Sequence, residues 1–523
     1  MCSIDNIRSY YPRRMMSTNT TPVMNDPTAS LRRSVYLLLI LISFGMITGH
    51  IIGVEKVIIP RTQSKWPINQ QIPQPTHADN DRSRWATIRA LVEENTYVIG
   101  VRAFYDEAGE VYEDQGQITQ SGWGTIDKVL NPAIGWRNDN PKPNEPLYAK
   151  FFYSSKPPLL PTILAGEYWI MNKLFGWTLT NDDRWAVVRI TLFTINALPW
   201  LISMLLMARL IDRLGTTDLG RIFAVAAVCF CTFVNAFANT LNNHTIAAWS
   251  VVFALYPVTM AMLRGQSMSF LASLMAGFWA GWTVTNELPA AAFAGLLGLW
   301  ILILQPRSVV PFLVGLAVPA TGFLITNYLA IGTIIPAYEK FGTEWYQYAN
   351  SYWLPGNTVG IDRSTDTLPV YLFHLTVGHH GLFSLTPILL LALVALILPR
   401  MGLAIERQKL VRSIFGWGTL VLSLVVLGFY LSKTESYNYG GWTSGPRWFI
   451  WLTPLWILGA VPLLDVLAGS RLGRAVIVVA LAWSALSVAF PLYTPWTHPW
   501  LYRLLEDLKI INYYPELVKV PTR

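Results

Sequence analysis

The stretch Pro157–Trp177, PPLLPTILAGEYWIMNKLFGW, decides how the whole chain is laid out. It is apolar over about twenty residues, the length that crosses the hydrocarbon core of a bilayer. If it crosses, every later apolar run inverts, and Arg209, Arg213, Arg221, Arg400, Arg407, Lys409, Arg412, Arg471 and Arg474 all fall outside. If it does not, the same residues face the cytoplasm together with Arg264, Arg307 and the Arg-rich N-terminal tail. Lys and Arg concentrate in short cytoplasmic loops, which selects the second arrangement. The stretch also opens on two prolines and contains Glu167 and Lys173. It reads as an amphipathic helix lying on the outer membrane surface.

Outward from that decision, eleven runs read as spans: Val35–Val54, Ala186–Leu210, Ile222–Leu241, Thr245–Met262, Phe270–Val284, Leu288–Leu304, Val309–Ala330, Phe383–Leu398, Ser413–Leu431, Trp448–Leu464 and Ala475–Leu492. The 523 residues are 53% hydrophobic and 13% charged. A soluble domain carries about twice that share of charge, so lipid is the solvent. The expected fold is an all-α polytopic membrane protein. Residues 1–34 form a disordered cytoplasmic tail rich in Ser, Thr, Asn and Pro. Residues 35–54 follow Arg32 and Arg33 and lack a small-residue cleavage site, as in an uncleaved signal anchor. Residues 55–185 make a large outer loop with surface helices. The bundle runs over 186–492, with outer loops at 331–382 and 432–447, and residues 493–523 form an outer tail. Much of the net charge of +8 sits in short segments between apolar runs, where it serves topology rather than nucleic-acid binding. Cys2, Cys229 and Cys231 supply neither a disulfide framework nor a metal motif. The inner loops are too short for a domain, which leaves the outer face for polar chemistry.

Several outer-face residues have both a structural and a chemical reading. The first loop opens with the linker Pro67–Pro75, then Asp79-Asn80-Asp81-Arg82-Ser83-Arg84-Trp85 begins a helical pattern that runs through Val92. Asp79 or Asp81 in a first helical turn satisfies free N–H groups and the helix dipole. A carboxylate at a membrane surface can equally take the proton of an attacking hydroxyl. Lys156, at the start of the surface helix, either snorkels to headgroups or neutralises a phosphate. Asn243 and His244 either cap the helix that starts at Thr245 or contribute acid–base chemistry. Glu287 sits at another helix start, with the same two readings. Adjacent His379 and His380 are poorly spaced for one metal; His380 reads as a donor to phosphate or sugar. The loop Tyr437–Trp448 gathers glycines, aromatic rings including Tyr439, and Arg447. It suits either an interfacial aromatic belt or a sugar phosphate held by the guanidinium.

Asp81-Arg82-Ser83-Arg84-Trp85-Ala86, then Tyr97, then Tyr153-Ser154-Ser155-Lys156-Pro157-Pro158-Leu159 resembles the first outer loop of GT-C glycosyltransferases, in particular the protein mannosyltransferase and lipid A aminoarabinose transferase group. The resemblance covers the first loop well and the span count loosely. It implies a GT-C-like bundle of about 11 transmembrane helices. It also implies a polyprenyl-phosphate-linked sugar donor, and inverting transfer to an acceptor hydroxyl on the extracytoplasmic face of a bacterial inner membrane. By the same resemblance Asp81 is the general base, and Lys156 and, by position, Arg447 hold the donor phosphate; beside these, Asp79 is a second candidate base and Arg84, Asn243, His244, Glu287, His380 and Tyr439 are the outer-face residues expected around the substrate. The acceptor stays open between protein, lipid and glycan, and no nucleic acid is involved. Two departures stand out. The family often carries an acidic residue at the end of the third span, where this chain has Asn242, Asn243 and His244. Ser155 stands where the aminoarabinose transferases carry an acidic metal ligand, so a divalent metal lacks support. A membrane transporter or lipid flippase is the alternative, but it would place ionisable residues mid-span, whereas Glu287, Arg447 and Asp465 lie near span ends. A scaffold presenting the first loop to a partner is the third reading.

Overall fold

The structure is a computed structural model and describes residues 27–54, 75–106, 111–114, 124–397, 406–434, 437–491 and 493–513. Of the tail expected to be disordered over residues 1–34, positions 1–26 lie outside the described residues, and the rest is not disordered but already helical, forming the start of the helix that carries the first span. The linker Pro67–Pro75 save its last residue, and positions 514–523 of the C-terminal tail, also lie outside the described residues.

Along the chain the elements are α1 (Thr28–Ile52), α2 (Asp79–Glu93), β1 (Gly100–Phe104), β2 (Val111–Asp114), β3 (Lys128–Arg137), β4 (Tyr148–Ser154), α3 (Leu159–Phe175), α4 (Arg184–Leu214) and α5 (Asp218–Phe237). There follow α6 (Asn243–Arg264), α7 (Phe270–Asn286), α8 (Leu288–Leu304), α9 (Pro306–Ile331), α10 (Leu368–Thr376), α11 (Leu390–Ile397), α12 (Ile414–Leu431), α13 (Arg447–Ala468), α14 (Arg471–Ala489) and α15 (Trp500–Asp507). Eight of them, α1, α4, α5, α6, α9, α12, α13 and α14, are long and apolar enough to cross a membrane. The other three expected spans are shorter. α7 has 17 residues, α8 falls in the same short class, and the run after residue 382 is interrupted at Pro387 before α11 begins. A proline lacks the N–H that would carry the helical ladder through.

The first loop departs from the expectation of surface helices alone. Between α2 and α3 lies a four-stranded antiparallel sheet of order β2-β1-β4-β3, with Val101 opposite Phe151 and Leu130 opposite Phe152. Phe151, Phe152 and Tyr153 give β4 the aromatic character that suits a half-buried pleated surface. The β3–β4 register shifts between Leu130 and Gly135, around Pro132, which cannot donate to the ladder. Trp85 of α2, Phe152 of β4 and Leu160 of α3 are buried in the same core as the bundle helices, so the loop is packed onto the bundle. α3 buries Leu160, Leu164, Tyr168 and Met171 and leaves Ile163, Trp169, Ile170, Leu174 and Phe175 exposed. Its outer face is therefore apolar too. Gly176, with φ +70, ends it in the left-handed conformation that glycine adopts without strain.

α7 and α9 approach so closely that side chains at the crossing are excluded. A Cβ on Gly277 would lie 1.8 Å from the carbonyl oxygen of Phe312, and one on Gly315 would lie 2.0 Å from that of Leu274. Small residues at such crossings let the two backbones touch. This contact fixes α7, whose C-terminal end delivers Glu287 to the site described next.

Candidate functional site

At the end of the bundle covered by the first loop, an open cleft of about 1120 Å³ is lined by six segments of chain. α2 contributes Asn80 and Arg84, and the approach to α3 contributes Lys156, Pro157 and Leu160. The start of α6 brings Asn243 and His244; the α7–α8 turn brings Glu287, Leu288 and Pro289. Tyr338, Glu339 and Tyr346 come from the loop after α9, and Phe429, Lys433, Tyr437, Arg447 and Trp448 from either side of the last loop. The lining thus pairs charged groups with an apolar rim of Leu160, Pro157, Leu288, Pro289, Phe429 and Trp448.

One wall is a hydrogen-bonded chain that ends on a carboxylate. Asn242 caps α6: its Oδ1 accepts from the backbone N–H of Thr245 at 2.9 Å, and its Nδ2 donates to the Phe237 carbonyl at 2.8 Å. That leaves the next two side chains free to face the cleft. Asn243 accepts on Oδ1 from Arg84 Nη2 at 2.7 Å and donates from Nδ2 to Glu287 Oε1 at 2.7 Å. His244 Nδ1 meets the same Glu287 oxygen. Arg84 is steadied by Nη1 donating to the Asn80 carbonyl at 2.9 Å. Glu287 is 4% exposed. Burial pushes its carboxyl up to about 8, against the pull of Arg447 and Arg84. Burial also lowers Arg84 to about 10, which still leaves a cation at neutral pH.

The opposite wall is cationic. Lys156 Nζ lies 3.0 Å from Asp127 Oδ2, both nearly buried. Tyr437 donates its hydroxyl to Asp127 Oδ1 at 2.9 Å. The Lys156 ammonium sits 5.5 Å and the Arg447 guanidinium 5.8 Å from the centre of the Tyr437 ring, and Arg447 also lies 5.1 Å from the ring of Trp496. Cations over ring faces are attracted by the negative π surface. Arg447 Nε is buried without a hydrogen-bond partner, and among the described residues no ion pair reaches Arg447 or Arg84. Burial lowers Lys156 to about 8, with Asp127 opposing that shift. The loop that carries these rings is strained. Tyr437, Tyr439, Gly440 and Gly441 all have positive φ, at 53, 56, 90 and 75°, a conformation that side-chain-bearing residues adopt only when their surroundings insist. Those surroundings include N–H bonds from Gly440 to the Tyr437 carbonyl at 2.7 Å and from Tyr439 to the Tyr371 hydroxyl at 2.9 Å.

Six of the ten residues singled out in the sequence meet in this cleft: Arg84, Lys156, Asn243, His244, Glu287 and Arg447. Four do not. Asp81 is 1% exposed, and its carboxylate reaches back as a cap, accepting from the N–H groups of His77 at 3.0 Å and of Ala78 and Arg82 at 2.8 Å. Burial raises it to about 6. Asp79 accepts from Ile126 N at 3.0 Å and pairs with Arg82 at 3.0 Å. Both carboxylates thus serve the N-terminus of α2. His380 lies in a buried cluster with His374, His379, His498 and Tyr502, its Nδ1 2.5 Å from that of His379. Tyr439 stacks on Tyr371 and donates to Asp366 at 2.6 Å in that same cluster.

Asp127 and Tyr437 are the site residues that sequence reading missed. Asp127 carries no motif. It immediately precedes β3, in a loop where strands were not expected, and its relation to Lys156 exists only once β3 pairs with β4. Tyr437 stands in the quoted aromatic loop, but nothing in the string separates it from Tyr439, two positions on.

No family model matches this chain, and no curated protein is similar to it. Several solved structures are similar. The Archaeoglobus fulgidus oligosaccharyltransferase in its apo form aligns with TM-score 0.41 and 10% identity, over 88% of this chain and 55% of that one. ArnT from Cupriavidus metallidurans bound to undecaprenyl phosphate aligns with TM-score 0.40 and 13% identity, over 89% of this chain and 75% of that one. The archaeal oligosaccharyltransferase AglB from Archaeoglobus fulgidus, in complex with an inhibitory peptide and a dolichol-phosphate, aligns with TM-score 0.35 and 12% identity, over 94% of this chain and 59% of that one. This chain therefore spans about half the length of the oligosaccharyltransferases it matches.

Proposed function

We propose that this chain is an integral membrane glycosyltransferase that moves a sugar from a polyprenyl-phosphate donor to an acceptor hydroxyl, with inversion, on the extracytoplasmic face. The observation that carries the reading is the composition of the cleft. Three cations, the buried Arg84 and Arg447 and the nearly buried Lys156, share it with one cleft-facing buried carboxylate, Glu287, beside an apolar rim. A phosphate is the anion that such Lys and Arg groups bind, and the apolar rim suits a prenyl chain arriving from the bilayer. Lys156 and Arg447 hold the donor phosphate. Because Asp81 is spent as a cap, Glu287 is the base, oriented by Asn243 and His244. The acceptor oxygen attacks the anomeric carbon while its proton passes to Glu287 Oε. The bond from that carbon to the phosphate oxygen breaks, and its electron pair leaves on a phosphate whose charge the two cations already offset.

The test is transfer of labelled sugar from a panel of polyprenyl-phosphate sugars by membranes containing wild type, Glu287→Gln or Asp81→Asn. Loss of a general base costs about 10²–10⁴-fold in rate, so Glu287→Gln is expected to lose transfer by that factor while remaining folded. Asp81→Asn is expected to lose about 1 kcal/mol of stability, the worth of a cap, and to keep its rate per folded molecule. Full transfer by Glu287→Gln together with loss in folded Asp81→Asn returns the base to Asp81. No transfer from any donor by the wild type removes the transferase reading.

A further inference from the structure

We propose that Asp127 is the positioning residue of the phosphate subsite, holding the Lys156 ammonium aimed along the Tyr437 ring into the cleft before any ligand arrives. This rests on the reading of Lys156 as a phosphate contact. Asp127 does not line the cleft itself; it stands behind Lys156. Its polar atoms are engaged throughout. Oδ2 pairs with Lys156 at 3.0 Å and Oδ1 accepts from Tyr437 at 2.9 Å. The carbonyl accepts from Ser83 Oγ at 2.6 Å and from Ser155 N at 3.1 Å, and the N–H donates to Thr125 Oγ1 at 3.0 Å. One residue thus ties α2, the turn before Lys156 and the last loop to a single point. An ammonium has three N–H donors; one is given to Asp127, and two remain for an incoming phosphate oxygen. Without its carboxylate, Lys156 would stand buried among like charges. From the elements around it Lys156 faces Asp127, Tyr437, Arg84 and Arg447, and Tyr338, Tyr346, His244, Glu287, Glu339 and Lys433 line the same cleft.

The experiment is binding of undecaprenyl phosphate to the full-length protein in detergent micelles between pH about 6.5 and about 9.5, above the second ionisation of a phosphate monoester near 6. It is run in a Glu287→Gln background, so that the Glu287 carboxyl does not titrate over the same interval. In that background binding is expected to weaken as pH rises through about 8, where Lys156 gives up its proton. Removing a neighbouring opposite charge lowers a lysine's pKa. Asp127→Asn should therefore move this fall about one pH unit lower, weakening binding about fivefold near pH 8, about tenfold at the alkaline end and less at the acid end. Lys156→Arg, which stays charged, should abolish the fall, and Asp127→Asn added to it should restore none. A uniform loss at every pH in Asp127→Asn, or a fall left at the parental pH, overturns the proposal and assigns Asp127 to structure. If Asp127→Asn does not fold, Asp127→Ser, smaller and still able to accept from Tyr437, is read in its place. Loss of fold in both again assigns the residue to structure and overturns the proposal. A parental protein that binds no lipid phosphate removes the phosphate reading and this proposal with it; a Lys156→Met variant that binds as the parent does removes Lys156 from the subsite while leaving the cleft reading open.

Discussion

Glu287 and Lys156 titrate in opposite senses around the same pH. Burial raises the carboxyl to about 8 and lowers the ammonium to about 8. As base, Glu287 works deprotonated, so its contribution appears as pH rises through 8. As phosphate contact, Lys156 works protonated, so its contribution disappears over the same interval. The rate of transfer is therefore expected to follow a narrow bell with its maximum near pH 8, and Lys156→Arg should remove the alkaline limb alone. Initial rates between pH about 6 and about 10 decide it, since a general base and a cation of this kind give limbs at their own pKa values; a flat plateau from 6 to 9 contradicts both assignments. At this scale the sequence exposes those residues whose position in the topology is informative. Arg84, Lys156, Asn243, His244, Glu287 and Arg447 sit in outer loops or at helix ends that charge bias assigns to one face, and segments on one face can meet. Asp81 shows where the same logic stops. Capping and catalysis ask for the same residue type at the same helix position, and only the carboxylate's hydrogen bonds separate them.

α7 is the element on which the cleft most depends, because Glu287 follows its last turn. Its contact with α9 leaves no room for a Cβ at Gly277. Gly277→Val must push the helices apart, at a cost of roughly 1–3 kcal/mol for overpacking, and the displacement reaches Glu287 ten residues on. A lowered melting temperature and at least about tenfold slower transfer are expected, since small misplacements of a reacting group cost that much or more. Gly295→Ala, where a Cβ meets nothing within 4 Å, is the control and should match wild type in both. Elements that depend on local pattern alone are readable in the sequence: the apolar runs, the α2 start at Asp79, and the α3 helix. The sheet is not. Its four strands are short, β3 is interrupted by Pro132 and Gly135, and pairing β1 with β4 joins residues nearly fifty positions apart, which no window along the chain records.

For the molecule as a whole, the segments that charge bias places outside all come to the end of the bundle that carries the cleft: the first loop, the turns at Asn243 and Glu287, the loop after α9 and the loop before α13. Sidedness can be tested without any substrate. Cys229 and Cys231 are buried; with Cys2 replaced, a single new cysteine can be probed with a membrane-impermeant thiol reagent. Asn140→Cys, exposed after β3, is expected to label in intact cells. Gln266→Cys, exposed between α6 and α7, is expected to label only after permeabilisation. The reverse pattern inverts the topology and moves the cleft to the cytoplasm. Among the described residues the eleven apolar runs comprise eight helices of 18 residues or more and three shorter ones, because hydropathy registers apolar length and is blind to where a proline or a turn cuts it. The left-handed loop before α13 has a practical sequel. Tyr437 looks into the cleft while Tyr439, two residues away on the same tight turn, is locked among the buried histidines, and Trp442 packs on His498 in that neighbouring compartment. The two rings stand on one turn, so a guest that displaces the first is expected to disturb the second, and a change in Trp442 emission on adding undecaprenyl phosphate, read with the other cleft-side tryptophans replaced, checks it.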